Sequence, residues 1–234
     1  EMVVNDVKIV SLLPSTTELA CSLGLESNLV AVSHECDFPS SVSRLERITS
    51  SIIPHGLSQL EIDRFVSTAI REGKSLYAVD AERLVALAPD IVLTQGLCDV
   101  CAVTPETVEA SLRGVRCTLS SYCQVLSMNG TSIEGICADI IRLADLTGRR
   151  ERAEELIAAA LTRWQNVNAA GSQERLLLLE WIDPFFSAGH WVPQQATSAG
   201  CFSVIGSAND HSRRLSKKEV VESNPDHIAV VCCG

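Results

Sequence analysis

The stretch VKIVSLLPSTTELACSLGLESNLVAVS, residues 7–33, decides the fold. Its apolar opening, Val7 to Leu13, predicts a strand. Ser15 or Thr16 is then the predicted N-cap of an apolar-periodic helix that ends at Gly24, because hydroxyl side chains accept hydrogen bonds from free N–H groups at a helix start. A second apolar strand closes the stretch. Strand, helix and strand in this order predict a parallel α/β unit.

Further elements follow the same alternation. Helices are predicted over Glu61–Glu72, Ala81–Ala88 and Ser216–Ser223, and strands over Ile91–Thr94, Val115–Leu119, Leu176–Trp181 and His227–Val231. Apolar periodicity from Thr131 to Trp164 predicts one long helix of about 50 Å, which Gly148 is placed to interrupt.

Two segments of the chain echo each other. Residues 82–93 and 218–229 each predict a helix, a Pro-Asp turn and an apolar strand. This similarity favours two similar lobes joined by the long helix. We therefore predict an N-terminal α/β lobe at residues 1–130, a bridging helix at 131–168 and a C-terminal α/β lobe at 169–234.

Composition excludes several classes of function. Hydrophobic residues make up 46% of the 234 residues and charged residues 21%, which is enough for a packed core. The net charge of −10 argues against a nucleic-acid partner, because little would neutralise phosphates. No run of 18 apolar residues occurs, so a membrane-spanning segment is not expected.

Cysteine usage bears on the compartment. The ten cysteines lack the spacing of a disulfide scaffold, and several lie in apolar patterns typical of buried free thiols. Residues 1–6 carry no cationic and apolar signal segment. Both observations favour a cytoplasmic location, whereas removal of a signal would place the protein in the periplasm.

Ligands of open parallel sheets bind at the carboxyl ends of the strands, where the predicted loops carry polar, aromatic and sulfur side chains. The candidate ligand-binding residues are Ser15, Thr16, Glu35, Trp181, His190 and Trp191. The candidate metal ligands are His34, Cys36, Cys98, Cys101 and Cys233.

The pair Cys98 and Cys101, together with His34 and Cys36, has the ligand types of a zinc or iron–sulfur site. The alternatives are ordinary thiols or a redox pair formed by Cys98 and Cys101. His190 follows a glycine and is placed either to bind a ligand or to cap a loop.

Two tryptophans are candidates for walls of a binding site. The indole rings of Trp181 and Trp191 could form flat apolar walls for a macrocycle. The alternative is that each packs in an ordinary interface. Enzyme signatures are absent from the sequence: it has no nucleophile–base triad, no G-x-S-x-G elbow and no phosphate-binding glycine loop.

A family resemblance is carried by three segments, Val10–Leu19, Leu29–Ser33 and Leu87–Thr94. They are similar to the substrate-binding proteins of vitamin B12 and iron–siderophore ABC transporters. The resemblance implies two Rossmann-like lobes with parallel sheets, one long backbone helix and a cleft that holds a cobalamin, haem or siderophore-like complex. It also implies an ABC permease as partner.

A subgroup that is often labelled cobalamin-binding is similar in three further segments, Ser33–Pro39, Leu97–Val103 and Gly189–Pro193. We therefore predict a binding protein for a metal ion or a metal-bearing macrocycle. The alternatives are a zinc- or iron-dependent or thiol-redox enzyme, and a cytosolic metallochaperone or sensor, on the same scaffold.

Overall fold

Short strands alternate with helices along most of the chain, and the computed structural model describes residues 7–97, 103–113, 119–167 and 174–232. Its strands are β1 (Ile9–Ser11), β2 (Leu29–Val32), β3 (Glu46–Arg47), β4 (Thr49–Ser51), β5 (Tyr77–Val79), β6 (Ile91–Thr94), β7 (Gln124–Ser127), β8 (Arg175–Ile182), β9 (Phe185–Ser187), β10 (Phe202–Ser203) and β11 (His227–Val230). Its helices are α1 (Pro14–Ser22), α2 (Gln59–Arg71), α3 (Ala81–Leu87), α4 (Pro105–Leu112), α5 (Ile133–Thr147), α6 (Arg150–Gln165), α7 (Val192–Ser198) and α8 (Lys217–Glu222).

The larger sheet is parallel throughout and has the strand order β3-β2-β1-β6-β7. The chain moves outward from β1 to β2 and β3 on one side, and to β6 and β7 on the other. The order therefore reverses between β1 and β6, and such a reversal opens a crevice at the carboxyl ends of the strands. The loop after β1 and the start of α1 lie at this point.

Both faces of this sheet are buried, which explains its continuous apolar strands. Ile9 of β1 belongs to a core with Leu23, the C-cap of α1, and Leu143 of α5. The next residue, Val10, belongs to a second core with Leu84 of α3. Full burial of a leucine contributes roughly 1.5–3 kcal/mol, so these two cores hold the sheet centre in place.

The smaller sheet is built around β8. Strands β10 and β11 flank β8 in parallel, and β9 pairs with it antiparallel. Alternate residues of β8 again serve two clusters, with Leu177 packed near Leu215 and Leu178 packed near Ala196. The predicted α/β class with parallel sheets is confirmed.

The chain divides into two compact units, each assembled from three stretches. The first unit comprises Glu1–Pro54, Val66–Asn129 and Asp139–Leu156. The second comprises His55–Phe65, Gly130–Ala138 and Ile157–Gly234. The predicted lobes are continuous in sequence, whereas the compact units are discontinuous.

The helical stretch predicted from Thr131 to Trp164 is two helices and not one, since α5 ends at Thr147 and α6 begins at Arg150. The break falls at Gly148, the residue that the sequence placed to interrupt it. Gly148 has φ 65°, a left-handed conformation that suits glycine and ends a helix. The Arg149 N–H donates to the Ala144 carbonyl at 2.8 Å, which closes the end of α5.

The fifth strand of the larger sheet also differs from expectation. The sequence predicted a strand over Val115–Leu119, a range of which only Leu119 is described, whereas β7 lies at Gln124–Ser127. Within the described ranges, no helix combines the length and the apolar character that crossing a lipid bilayer requires.

Candidate functional site

Two predicted ligand-binding residues in the first turn of α1 differ in their exposure to solvent. Ser15 is exposed there, whereas Thr16 is buried with its Oγ1 2.7 Å from the Ser11 Oγ. The Thr16 hydroxyl also donates to the Leu13 carbonyl at 3.1 Å. Thr16 is thus occupied in joining the helix to β1, and Ser15 is the residue whose side chain remains accessible.

His34 follows β2 and is held in place by Thr49. The His34 Nδ1 lies 2.7 Å from the Thr49 Oγ1, and the His34 backbone N–H donates to the same oxygen at 2.9 Å. The ring is half-buried, with its centroid 6.1 Å from that of Tyr77. The exposed Glu35 carboxylate lies 4.0 Å from the His34 Nε2. Nδ1 is therefore the ring nitrogen that Thr49 holds, and Nε2 lies beside the Glu35 carboxylate.

Cys36, a predicted metal ligand, lies in the core of the first unit. It is 1% exposed and packs with apolar residues of the core that contains Ile9. Its Sγ lies 3.1 Å from the Thr17 Oγ1, and burial raises the pKa of the thiol. Metal ions bind the thiolate, which this environment disfavours. The setting is typical of a core thiol, and metal ligation by Cys36 stays a prediction.

The remaining thiols of the predicted metal site, Cys98, Cys101 and Cys233, lie outside the described residues. Among the residues that the structure describes, no three His, Cys, Asp or Glu side chains are grouped to hold a metal ion. Metal ligation by these three cysteines stays a prediction.

His190, in the second unit, adopts a left-handed backbone with φ 56° just before α7. Its N–H donates to the Asp210 carbonyl at 2.6 Å, and its carbonyl accepts from the Asn209 N–H at 3.0 Å. Its Nε2 is buried and has no hydrogen-bond partner within the described part of the chain. Burial lowers the pKa of His190, the Glu180 carboxylate opposes that shift, and His211 adds to it.

Two aromatic rings lie near the His190 ring, those of Trp191 and His211. The Trp191 ring centroid is 6.0 Å from that of His190, and the His211 ring meets it edge-on at 5.4 Å. Trp181 is half-buried, and its Nε1–H donates to the Asp183 carbonyl at 3.1 Å. The structure thus brings His190 and Trp191 together, while the indole nitrogen of Trp181 already has a partner.

Glu180 was missed as a site residue. Its carboxylate accepts hydrogen bonds from the Gly189 N–H and the Ser212 hydroxyl, so it joins two loops beside His190. A Cβ atom added at Gly189 would lie 2.5 Å from the Ser212 nitrogen and 2.7 Å from the Asp210 oxygen. The available signal was a single carboxylate in the apolar strand β8.

Thr49 was also missed. It is buried, and an open depression of about 340 Å³ next to it is lined by Arg47, Ile48, Thr49, Ser50, Ala78, Val79 and Asp80. No local pattern marks Thr49, because its contact with His34 joins residues fifteen positions apart.

Two compact α/β units, the first with Ser15 and His34 in the segments that follow parallel strands, are typical of the two-domain α/β class of binding proteins. The chain belongs to the periplasmic binding protein family, whose model matches residues 9–234. The predicted resemblance to substrate-binding proteins of vitamin B12 and iron–siderophore transporters is confirmed. The alternative of an enzyme is not supported, because the relatives are binding proteins.

Relatives with known names extend along nearly the whole chain. The vitamin B12-binding protein of Yersinia pestis (strain Pestoides F) is 26% identical over 231 residues, which cover 95% of this chain and 69% of that protein. The periplasmic haem-binding protein of Vibrio cholerae has a TM-score of 0.66 and 22% identity, covering 96% of this chain and 76% of its own. The periplasmic vitamin B12-binding protein of Vibrio cholerae has a TM-score of 0.64 and 20% identity, with the same coverage.

Proposed function

We propose that this protein binds a metal-bearing tetrapyrrole of the cobalamin or haem kind, as the substrate of an ABC importer. The observation that carries the proposal is the anchored imidazole of His34, whose Nδ1 is held by Thr49. Nε2 is the nitrogen that the proposal assigns to the substrate metal. A neutral imidazole nitrogen is a common axial ligand of macrocycle-bound iron and cobalt.

A macrocycle suits this site better than a free metal ion does. Structural zinc sites take four protein ligands, whereas the described residues contain no group of three His, Cys, Asp or Glu side chains for a metal. A corrin or porphyrin ring already supplies four equatorial nitrogens to its metal. One imidazole is then sufficient to complete an axial position.

Ser15, in the same unit as His34, fits a further need of such a ligand. Ser15 is exposed at the first turn of α1, where free N–H groups and a hydroxyl favour the amide or carboxylate groups at a macrocycle rim. Relatives named for vitamin B12 or haem support this substrate class.

An ABC permease is the proposed partner, on the strength of family membership. The protein carries a net charge of −10, so acidic surface groups are available to meet basic groups on such a partner.

The test is a set of absorbance titrations with hemin, aquocobalamin and a ferric siderophore. We expect hemin or aquocobalamin to bind the wild type with the spectral shift of histidine ligation. His34→Ala should remove that shift, and His55→Ala, which alters an exposed histidine, should not. Binding of the ferric siderophore alone, or an unchanged spectrum in His34→Ala, would overturn the proposal.

A further inference from the structure

We infer that Thr49 is a positioning residue that determines which ring nitrogen of His34 faces the ligand. The inference rests on the proposed function, because it concerns the imidazole assigned there to the substrate metal. The Thr49 Oγ1 contacts the His34 Nδ1 at 2.7 Å and the His34 backbone nitrogen at 2.9 Å. It also donates to the Ser33 Oγ at 3.2 Å.

The hydrogen bonds of the Thr49 hydroxyl indicate which ring nitrogen of His34 carries the proton. A hydroxyl group has one proton to donate and two lone pairs that accept. The Thr49 proton is directed to the Ser33 Oγ, and one lone pair accepts from the His34 backbone N–H. The second lone pair then faces Nδ1, and this arrangement favours the neutral ring with its proton on Nδ1 over the tautomer that the Glu35 carboxylate, 4.0 Å from Nε2, would favour. The lone pair of the imidazole is consequently on Nε2.

This tautomer is the opposite of the one that free histidine favours, in which Nε2 carries the proton. A ring with its proton on Nε2 would present a donor to the ligand and could not bind a metal through that atom. The Thr49 contact therefore stabilises the tautomer that binds metals, as second-shell hydrogen bonds to ligating histidines commonly do.

The position of Thr49 is itself fixed by the backbone. Thr49 is 8% exposed and pairs with Val79 across β4 and β5. The residue before it, Ile48, donates its N–H to the carbonyl of Val32 at the end of β2. Two sheets thus hold the hydroxyl, and the loop after β2 brings the imidazole to it. Tyr77, also on β5, limits the ring from another side.

The first measurement needs no ligand. Long-range ¹H–¹⁵N spectra at pH 8 report which nitrogen of each histidine carries a proton, and the His34 signals are assigned by their absence in His34→Ala. We expect Nδ1 to be protonated in the wild type and in Thr49→Ser, which keeps the hydroxyl. Thr49→Val removes the hydroxyl and should lose this preference.

The second measurement is the titration of the same variants with hemin and aquocobalamin. Thr49→Val should bind about 10- to 100-fold more weakly, the usual cost of losing a hydrogen bond that orients a metal ligand, and Thr49→Ser should restore binding. Thr147→Val is the matched control, because Thr147 is a buried threonine of the same unit that bonds only to carbonyls of its own helix.

The outcomes separate the two proposals. A wild-type His34 with its proton on Nε2, or a Thr49→Val protein that keeps both the tautomer and the affinity, would overturn the role of Thr49. If the tautomer is as expected but His34→Ala binds every macrocycle normally, the proposed function fails while the orientation of the ring by Thr49 stands. If Thr49→Val does not fold, the wild-type spectrum and Thr49→Ser still decide.

Discussion

Asp90 and Asp226 make the same pair of hydrogen bonds in their respective units. The Asp90 carboxylate accepts from the Lys8 N–H at 2.8 Å, and the Asp90 N–H donates to the Lys8 carbonyl at 2.9 Å. The Asp226 carboxylate accepts from the Arg175 N–H at 2.9 Å, and the Asp226 N–H donates to the Arg175 carbonyl at 2.8 Å. Each aspartate thus fixes the start of the central strand beside it, and the repeat predicted from sequence extends to individual atoms.

Removing either carboxylate should destabilise its unit. We expect Asp90→Ala and Asp226→Ala each to lower the free energy of unfolding by about 1 kcal/mol, because each leaves a strand N–H without its acceptor. Urea denaturation measures the loss. Asp145→Ala, which breaks only an exposed pair with Arg150, should cost less than about 0.5 kcal/mol. Equal losses in all three variants would contradict this explanation.

Exchanging glycine and alanine should change stability in opposite directions at the ends of two helices. Ala88 ends α3 with φ 47°, and Gly148 ends α5 with φ 65°. Left-handed strain costs an alanine about 1–2 kcal/mol, and the extra chain entropy of glycine costs about 0.5–1 kcal/mol. Ala88→Gly should therefore stabilise the protein by about 0.5–1 kcal/mol, and Gly148→Ala should destabilise it similarly. Thermal unfolding tests both, and shifts of the same sign would refute the argument.

Acid should weaken the second unit through His190. Burial holds the pKa of His190 in the folded protein below the value in the unfolded chain, which is near 6.5. The unfolded chain therefore takes up the proton first, and stability is lost as pH falls below about 6.5 toward the folded pKa. We expect the melting temperature to fall between pH 7.5 and pH 5.5.

His190→Asn separates this effect from other titrations, because asparagine tolerates the left-handed backbone but does not titrate. The variant should lose part of the pH dependence, while His55→Asn, at an exposed position, should keep it. The nearby groups Glu180 and His211 stay unchanged in both variants. An identical pH profile in His190→Asn and the wild type would show that His190 does not contribute.

Reaction with iodoacetamide should distinguish the buried thiol of Cys36 from an exposed thiol in the same unit. Cys36 is buried and burial raises the pKa of its thiol, so we expect it to react with iodoacetamide only after unfolding. Ser15→Cys places a thiol at an exposed position of the same unit and should react in the folded protein. Mass spectrometry of the labelled peptides measures both. Rapid labelling of native Cys36 would show that the position opens to solvent and would support its predicted role as a metal ligand.

Sequence reasoning succeeded where the determining pattern is local. The strand at Ile91–Thr94 and the Pro-Asp turns follow from neighbouring residues, so their positions were predictable. Burial of individual side chains was not predictable where it depends on packing between elements that are distant in sequence. Cys36 is two residues from His34 in sequence, but packing against α1 buries one side chain and leaves the other half-exposed. Thr49 carries no local signal and Glu180 only that of a single carboxylate in an apolar strand, because their partners come from other elements of the fold.

Gly189 has a consequence for anyone who wishes to retarget this protein. In a library that randomises residues 188–192, only glycine should be tolerated at position 189, because even a methyl group would collide with the backbone at Asp210 and Ser212. Randomisation is better placed at Trp191, a half-buried residue at the N-cap of α7. Selections should recover glycine at 189 from every productive clone, whatever the selected ligand.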